Sequence, residues 1–146
     1  MIEIDESFEV RASTEVLWKV ITDFDRYPEW NPFVVSCESS LREGEPIVMK
    51  VQLFKAFAQP QREEVLEVVP GSSLRYGLPQ GALGALTSCR SHELTALDTH
   101  LSRYRSHFEL RGWAAGLTDL LMGRALRRGF HAMSEALVLR AESLAP

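Results

Sequence analysis

Cysteine is scarce in this chain. Two residues, Cys37 and Cys89, cannot build a disulfide framework or a cysteine-rich zinc site. The simplest expectation is two reduced thiols in a cytoplasmic protein. Long apolar runs are absent too: none approaches the roughly 20 residues that cross a bilayer, so no stable membrane insertion is expected. The opening Met1-Ile2-Glu3-Ile4-Asp5-Glu6 lacks the basic and apolar regions of a signal peptide. Basic charge is in deficit, with 16 Lys+Arg against 20 Asp+Glu and a formal net charge of −4. A protein that neutralises phosphates needs a basic face, so nucleic acid is not an expected partner. There are no repeats, and no Pro/Gly/Ser-rich linker divides the chain. A Gly-x-Ser-x-Gly elbow, a phosphate-cradling glycine loop and a His-Glu-x-x-His helix are also missing.

What remains is ordinary globular material. The 146 residues are 45% hydrophobic and 25% charged, which fits one domain over 1–146. Residues 2–10 alternate, with Ile2, Ile4, Phe8 and Val10 on one face, and predict a half-buried strand. Glu6 breaks that pattern by falling on the apolar face. Ser13 is a helix N-cap candidate, followed by Val16, Leu17, Val20, Ile21 and Phe24 at helical spacing, so 14–21 reads as a short amphipathic helix. A second short helix or turn is expected over 23–30, stopped by Asn31-Pro32.

From 33 to 111 the punctuation is that of a β-meander. Strands are expected at 33–41, 46–54, 61–69, 73–79, 87–97 and 101–111. Gln59-Pro60, Pro70-Gly71-Ser72-Ser73 and the glycine-rich 79–86 stretch read as turns or loops. The last strand alternates most clearly: Ser102, Tyr104, Ser106, Phe108 and Leu110 share one face. From about 114 to 143 no proline occurs and helix formers dominate, predicting a long helix. Its apolar stripe is Met122, Leu126, Phe130, Met133, Leu137, Ala141 and Leu144, with Arg124, Arg127, Arg128, Glu135 and Arg140 opposite. The pattern is α+β: seven antiparallel strands with one face for the final helix to cover.

The segment Val16-Leu17-Trp18, followed by Asp23-Phe24-Asp25-Arg26-Tyr27-Pro28-Glu29-Trp30-Asn31-Pro32-Phe33, resembles the opening of START-like (SRPBCC, polyketide cyclase/dehydrase-like) proteins. Arg127-Arg128-Gly129-Phe130-His131-Ala132-Met133-Ser134-Glu135-Ala136-Leu137 is similar to that superfamily's final helix, and Ser91-His92-Glu93-Leu94 to one of its strands. The resemblance implies a helix-grip fold: a curved seven-stranded antiparallel sheet around a long C-terminal helix, two short helices between strands 1 and 2, and an apolar cavity. It implies no metal or other cofactor.

On that reading the expected function is binding or carriage of a small hydrophobic molecule, such as a lipid or polyketide, without catalysis. An aromatase/cyclase or dehydratase is the alternative, with Arg90, His92 and Tyr104 as candidates for proton transfer. A homodimeric interaction module, joined through the sheet edge or the long helix, is a further one. Trp30 and Phe33 either rim the pocket or plug a structural corner. Met49, Val51, Leu53, Tyr76, Leu78, Leu94, Phe108, Phe130, Met133 and Leu137 either surround a guest or form solid core. His92, Tyr104 and Ser106 are the polar groups expected to orient a ligand if their strand faces look inward.

Overall fold

The computed structural model describes residues 1–79 and 84–146. Its strands are β1 (Ile2–Val10), β2 (Val34–Ser39), β3 (Pro46–Phe54), β4 (Phe57–Val69), β5 (Ser73–Gly77), β6 (Thr87–Asp98) and β7 (Leu101–Arg111). The helices are α1 (Thr14–Thr22), α2 (Tyr27–Trp30) and α3 (Ala115–Leu144), with a 3-10 turn over Phe24–Arg26. The strands form one antiparallel sheet in the order β1-β7-β6-β5-β4-β3-β2. β2 to β7 follow one another across the sheet in chain order, whereas α1 and α2 carry the chain from one sheet edge to the other. The result is the expected α+β helix-grip arrangement, with α3 lying on the inner face of the sheet.

Local chemistry explains the framing elements. Ser13 caps α1 by accepting the Val16 backbone N–H at 3.2 Å. Asn31 is buried, and its Oδ1 accepts the N–H groups of Phe33 (3.0 Å) and Val34 (2.9 Å), fixing the corner into β2. The residue that broke the alternation of β1 has a partner on α3. Glu6 accepts from His131 Nδ1 at 2.6 Å, and Glu135 contacts the other ring nitrogen. Glu6, ahead of Glu135, holds the His131 imidazolium in its charged form to a higher pH than usual.

Several boundaries differ from the sequence pattern. β2 is shorter than 33–41 and β5 shorter than 73–79. β4 begins at Phe57 rather than 61, because the hairpin turns at Lys55-Ala56 and not at Gln59-Pro60. Pro60 is tolerated within β4 because β5 pairs only from Glu64 onward, leaving 57–63 as an edge. Of the 79–86 loop, residues 80–83 lie outside the described residues. Leu144 does not extend the buried stripe of α3; it is 50% exposed, past the last turn that meets the sheet.

The core divides along α3. Its second half buries Met133, Leu137 and Ala141 against Leu17, Ile21, Leu74 and Tyr104. Its first half stands further from β3 and β4. Gly129 marks the crossover, since a Cβ there would lie 2.3 Å from the Phe33 ring. That close approach lets Phe33 pack edge-on against Phe130, ring centroids 4.9 Å apart.

Candidate functional site

A cavity of about 240 Å³ lies between the sheet and the first half of α3 and opens to solvent at one end. The inward face of β3 supplies Met49, Val51 and Leu53, and α3 supplies Thr118, Met122, Leu126 and Phe130. Phe33, Val34, Leu86, Phe108 and Leu110 complete the apolar wall. Polar groups come from one stripe of β4, Gln59, Gln61 and Glu63, and from Tyr76, Ser88 and Arg90 on β5 and β6. Leu78, just past β5, also lines it. Exposed Leu117, Leu120 and Leu121 stand on the same end of α3.

The expected site residues separate into two groups. Phe33, Met49, Val51, Leu53, Tyr76, Leu78, Arg90, Phe108 and Phe130 are brought together around the cavity. His92, Leu94, Tyr104, Ser106, Met133 and Leu137 lie in the packed half of the core, away from its lining. Trp30 is half-buried against Tyr27, ring centroids 5.1 Å apart, also outside the cavity wall. The residues that sequence reasoning passed over are chiefly Gln59, Gln61 and Glu63. Their signal was parity: they share a strand face with Val65, which is fully buried.

Arg90 joins the two groups. Its Nη1 donates to Ser106 Oγ at 2.7 Å and to the His107 carbonyl at 3.3 Å; its Nη2 donates to the Tyr104 hydroxyl at 3.4 Å. The guanidinium carbon sits 4.8 Å from the centre of the Phe130 ring. Tyr104 in turn meets His92 Nδ1 at 2.7 Å, and His92 Nε2 meets the Tyr76 hydroxyl at 3.4 Å. Among the described residues His92 Nδ1 is the acceptor that the Tyr104 hydroxyl meets, so Tyr104 accepts from Arg90 and donates its own proton there. The imidazole then donates from Nε2 to Tyr76, a tautomer assigned from the network. Tyr76 is left with its O–H to offer to the cavity.

Burial, assisted by the Arg90 charge, pushes the His92 pKa far below its ordinary value of 6.5, so the ring is neutral. Burial likewise raises the Cys37 thiol to about 12, which makes it an inert core residue. Glu63 is the exception in the cavity wall. Desolvation pushes its carboxyl up to about 7 against the opposing effects of Gln61 and Arg90.

The neutral state of His92 has a measurable consequence. Below pH 6.5 the unfolded chain binds a proton that folded His92 does not, so stability is lost as pH falls. Glu63 acts with the opposite sign over an overlapping range, so the comparison requires a variant. The stability gap between wild type and His92→Gln is expected to shrink by about 1.4 kcal/mol per pH unit below that point. Urea titrations at stepped pH measure it, and a gap that stays constant would show a solvated, ordinary imidazole.

Metal-type ligands converge elsewhere. On the outer face of the sheet, Glu3, His107 and Glu109 bring ligand atoms within 4.8 Å of one another, but Glu109 is also paired with Arg111. No helix among the described residues is long and apolar enough to cross a membrane.

The fold recurs in proteins of known structure. A START superfamily protein from Mycobacterium smegmatis superposes with a TM-score of 0.73 at 18% identity, over 98% of this chain and 99% of that one. The Zhui aromatase/cyclase from Streptomyces sp. R1128 gives 0.72 at 14% identity, over 97% and 93%. The di-domain aromatase/cyclase StfQ of the steffimycin biosynthetic pathway gives 0.71 at 17% identity, covering 99% of this chain but 50% of that one. At such identities the likeness is one of fold. No curated protein matches the sequence. The family described as "Polyketide cyclase / dehydrase and lipid transport" matches residues 1–142, and the chain belongs to that family.

Proposed function

We propose that this protein binds and carries a small hydrophobic molecule in the cavity between the sheet and α3, without transforming it. The observation that carries this reading is the cavity itself. Protein interiors are close-packed, yet the side chains of the sheet and α3 leave this space unfilled. A mostly apolar chamber with a few polar groups in its wall is best understood as a place for a guest. Met49 and Met122 add adaptable walls suited to an irregular ligand.

A cyclase or dehydratase acting on a polyketide-like chain is the second reading. Arg90 and Tyr76 in the wall favour it, since a cation and a hydroxyl both stabilise a developing oxyanion. The placement of His92 and Tyr104 argues against it, because the imidazole is neutral, enclosed between two tyrosines and out of reach of the cavity.

Native mass spectrometry of freshly purified protein, followed by denaturing extraction, tests both. An unmodified apolar compound supports carriage, and a cyclised or dehydrated one supports the enzyme. Leu126→Trp places an indole in the chamber from the exposed side of the core and is expected to lower occupancy at least tenfold while the protein stays folded. Undiminished occupancy in that variant would move the binding site elsewhere.

A further inference from the structure

Arg90 is a buried cation without a counter-ion. It is 2% exposed, lines the cavity, and its Nε has no hydrogen-bond partner. Its other nitrogens meet hydroxyls, carbonyls and the Met133 sulfur, all of them neutral. Among the described residues no carboxylate comes within the 4.0 Å that defines an ion pair with it. Glu63 lines the same chamber and lies within electrostatic reach of Arg90, yet the two do not touch. Leaving a buried guanidinium unpaired is costly, and the space beside it is the cavity.

We propose that the cavity takes a medium-chain monocarboxylic acid, its carboxylate seated between Arg90 and Glu63 and its tail among Met49, Val51, Leu53 and Leu126. This rests on the reading that an apolar molecule occupies the chamber, and adds what its head must be. The volume equals roughly eight waters at about 30 Å³ each, which suits an acid of octanoic size. Arg90 supplies its positive charge and Tyr76 its hydroxyl. Glu63 in its protonated form donates to the remaining carboxylate oxygen, so that one proton is shared between two carboxyl groups. When Glu63 ionises, two carboxylates compete for one guanidinium and the ligand is repelled.

The groups facing Glu63 are Gln61 on its own strand, Tyr76 on β5, Arg90 on β6 and Cys37 on β2. From α3 the cavity receives Thr118, Met122, Leu126 and Phe130, none of which is charged. Burial keeps Cys37 and Tyr76 protonated far above neutrality, and a guanidinium does not titrate. Only the Glu63 carboxyl, raised to about 7, changes state within this set near physiological pH.

Isothermal titration calorimetry with octanoic acid and 1-octanol tests the assignment. The acid is expected to bind at least about tenfold tighter than the alcohol at about pH 6, as one charge-assisted hydrogen bond requires. By about pH 8.5, with Glu63 ionised and the free acid's own charge unchanged, that affinity should fall at least about tenfold while the alcohol's stays constant. Glu63→Gln, which keeps a donor but cannot ionise, should bind the acid equally at both pH values. Equal binding of acid and alcohol by the wild type at both pH values overturns the head-group assignment and leaves the cavity reading intact. Binding of neither overturns both. A pH dependence that survives in Glu63→Gln removes Glu63 from the site.

Discussion

Replacing Leu137 by alanine is expected to destabilise the protein by about 3 kcal/mol, lowering Tm by about 10 °C. Leu137 is fully buried on the second half of α3, in the cluster that also holds Leu17, Leu74, Tyr104 and Met133. Truncation removes apolar area and leaves a void that a helix pinned at both ends cannot close. The shape of the cluster makes the effect large: α1 and the sheet lie around this half of α3, so no neighbour has solvent to relax into. Thermal and urea unfolding with a matched ligand titration are the measurements. Because Leu137 lies outside the cavity lining, ligand affinity at temperatures where the variant is folded should change little. A loss below about 1 kcal/mol would mean that this half of the core is not packed as described.

Gly77→Ala should be comparably severe, for a backbone reason. A Cβ at position 77 would stand 1.8 Å from the Ser88 carbonyl oxygen and 2.7 Å from its carbon. Both are main-chain atoms, so no side-chain rotation relieves the clash. The ends of β5 and β6 must separate, and they are tied there by Leu78 N–H to Ser88 Oγ and by Thr87 Oγ1 to the Leu78 carbonyl, each at 3.0 Å. The cost is expected to reach about 3 kcal/mol. Ligand retention should suffer with it, since Tyr76 pairs with Arg90 one step along the same ladder. Gly116→Ala is the control. It sits in α3 with nothing within 4 Å of its built Cβ, and should be neutral or stabilising by up to about 1 kcal/mol. Two alanine variants of similar stability would show that the β5–β6 approach is looser than the structure has it.

The elements with strong periodicity were the legible ones. The alternation of β1 and β7, the Ser13 cap and the proline-free stretch of α3 each state a local preference that tertiary packing then reinforces. The start of β4 was not legible. Gln59-Pro60 carries turn chemistry, and only the shortness of β5 turns that segment into an edge where proline is harmless. Glu63 was missed for a related reason. An inward polar stripe has the same sequence signature as an outward one until a neighbour such as Val65 fixes the parity.

The residues of the inner surface were visible as a set, but their division was not. Met49, Leu126, Met133 and Leu137 are all apolar, at the right spacing, on the right faces. By itself the amino-acid sequence determined the order of strands and helices and, where the alternation is strong, the face each turns inward, because these follow from side-chain chemistry at periods of 2 and 3.6 residues. Only the tertiary structure decided which half of α3 lies close and which stands off. That separation depends on how far the sheet curves and how near Phe33 comes to Gly129, distances set by contacts between residues about a hundred positions apart. The same geometry puts His92 and Tyr104 behind the wall and Arg90 and Glu63 in it.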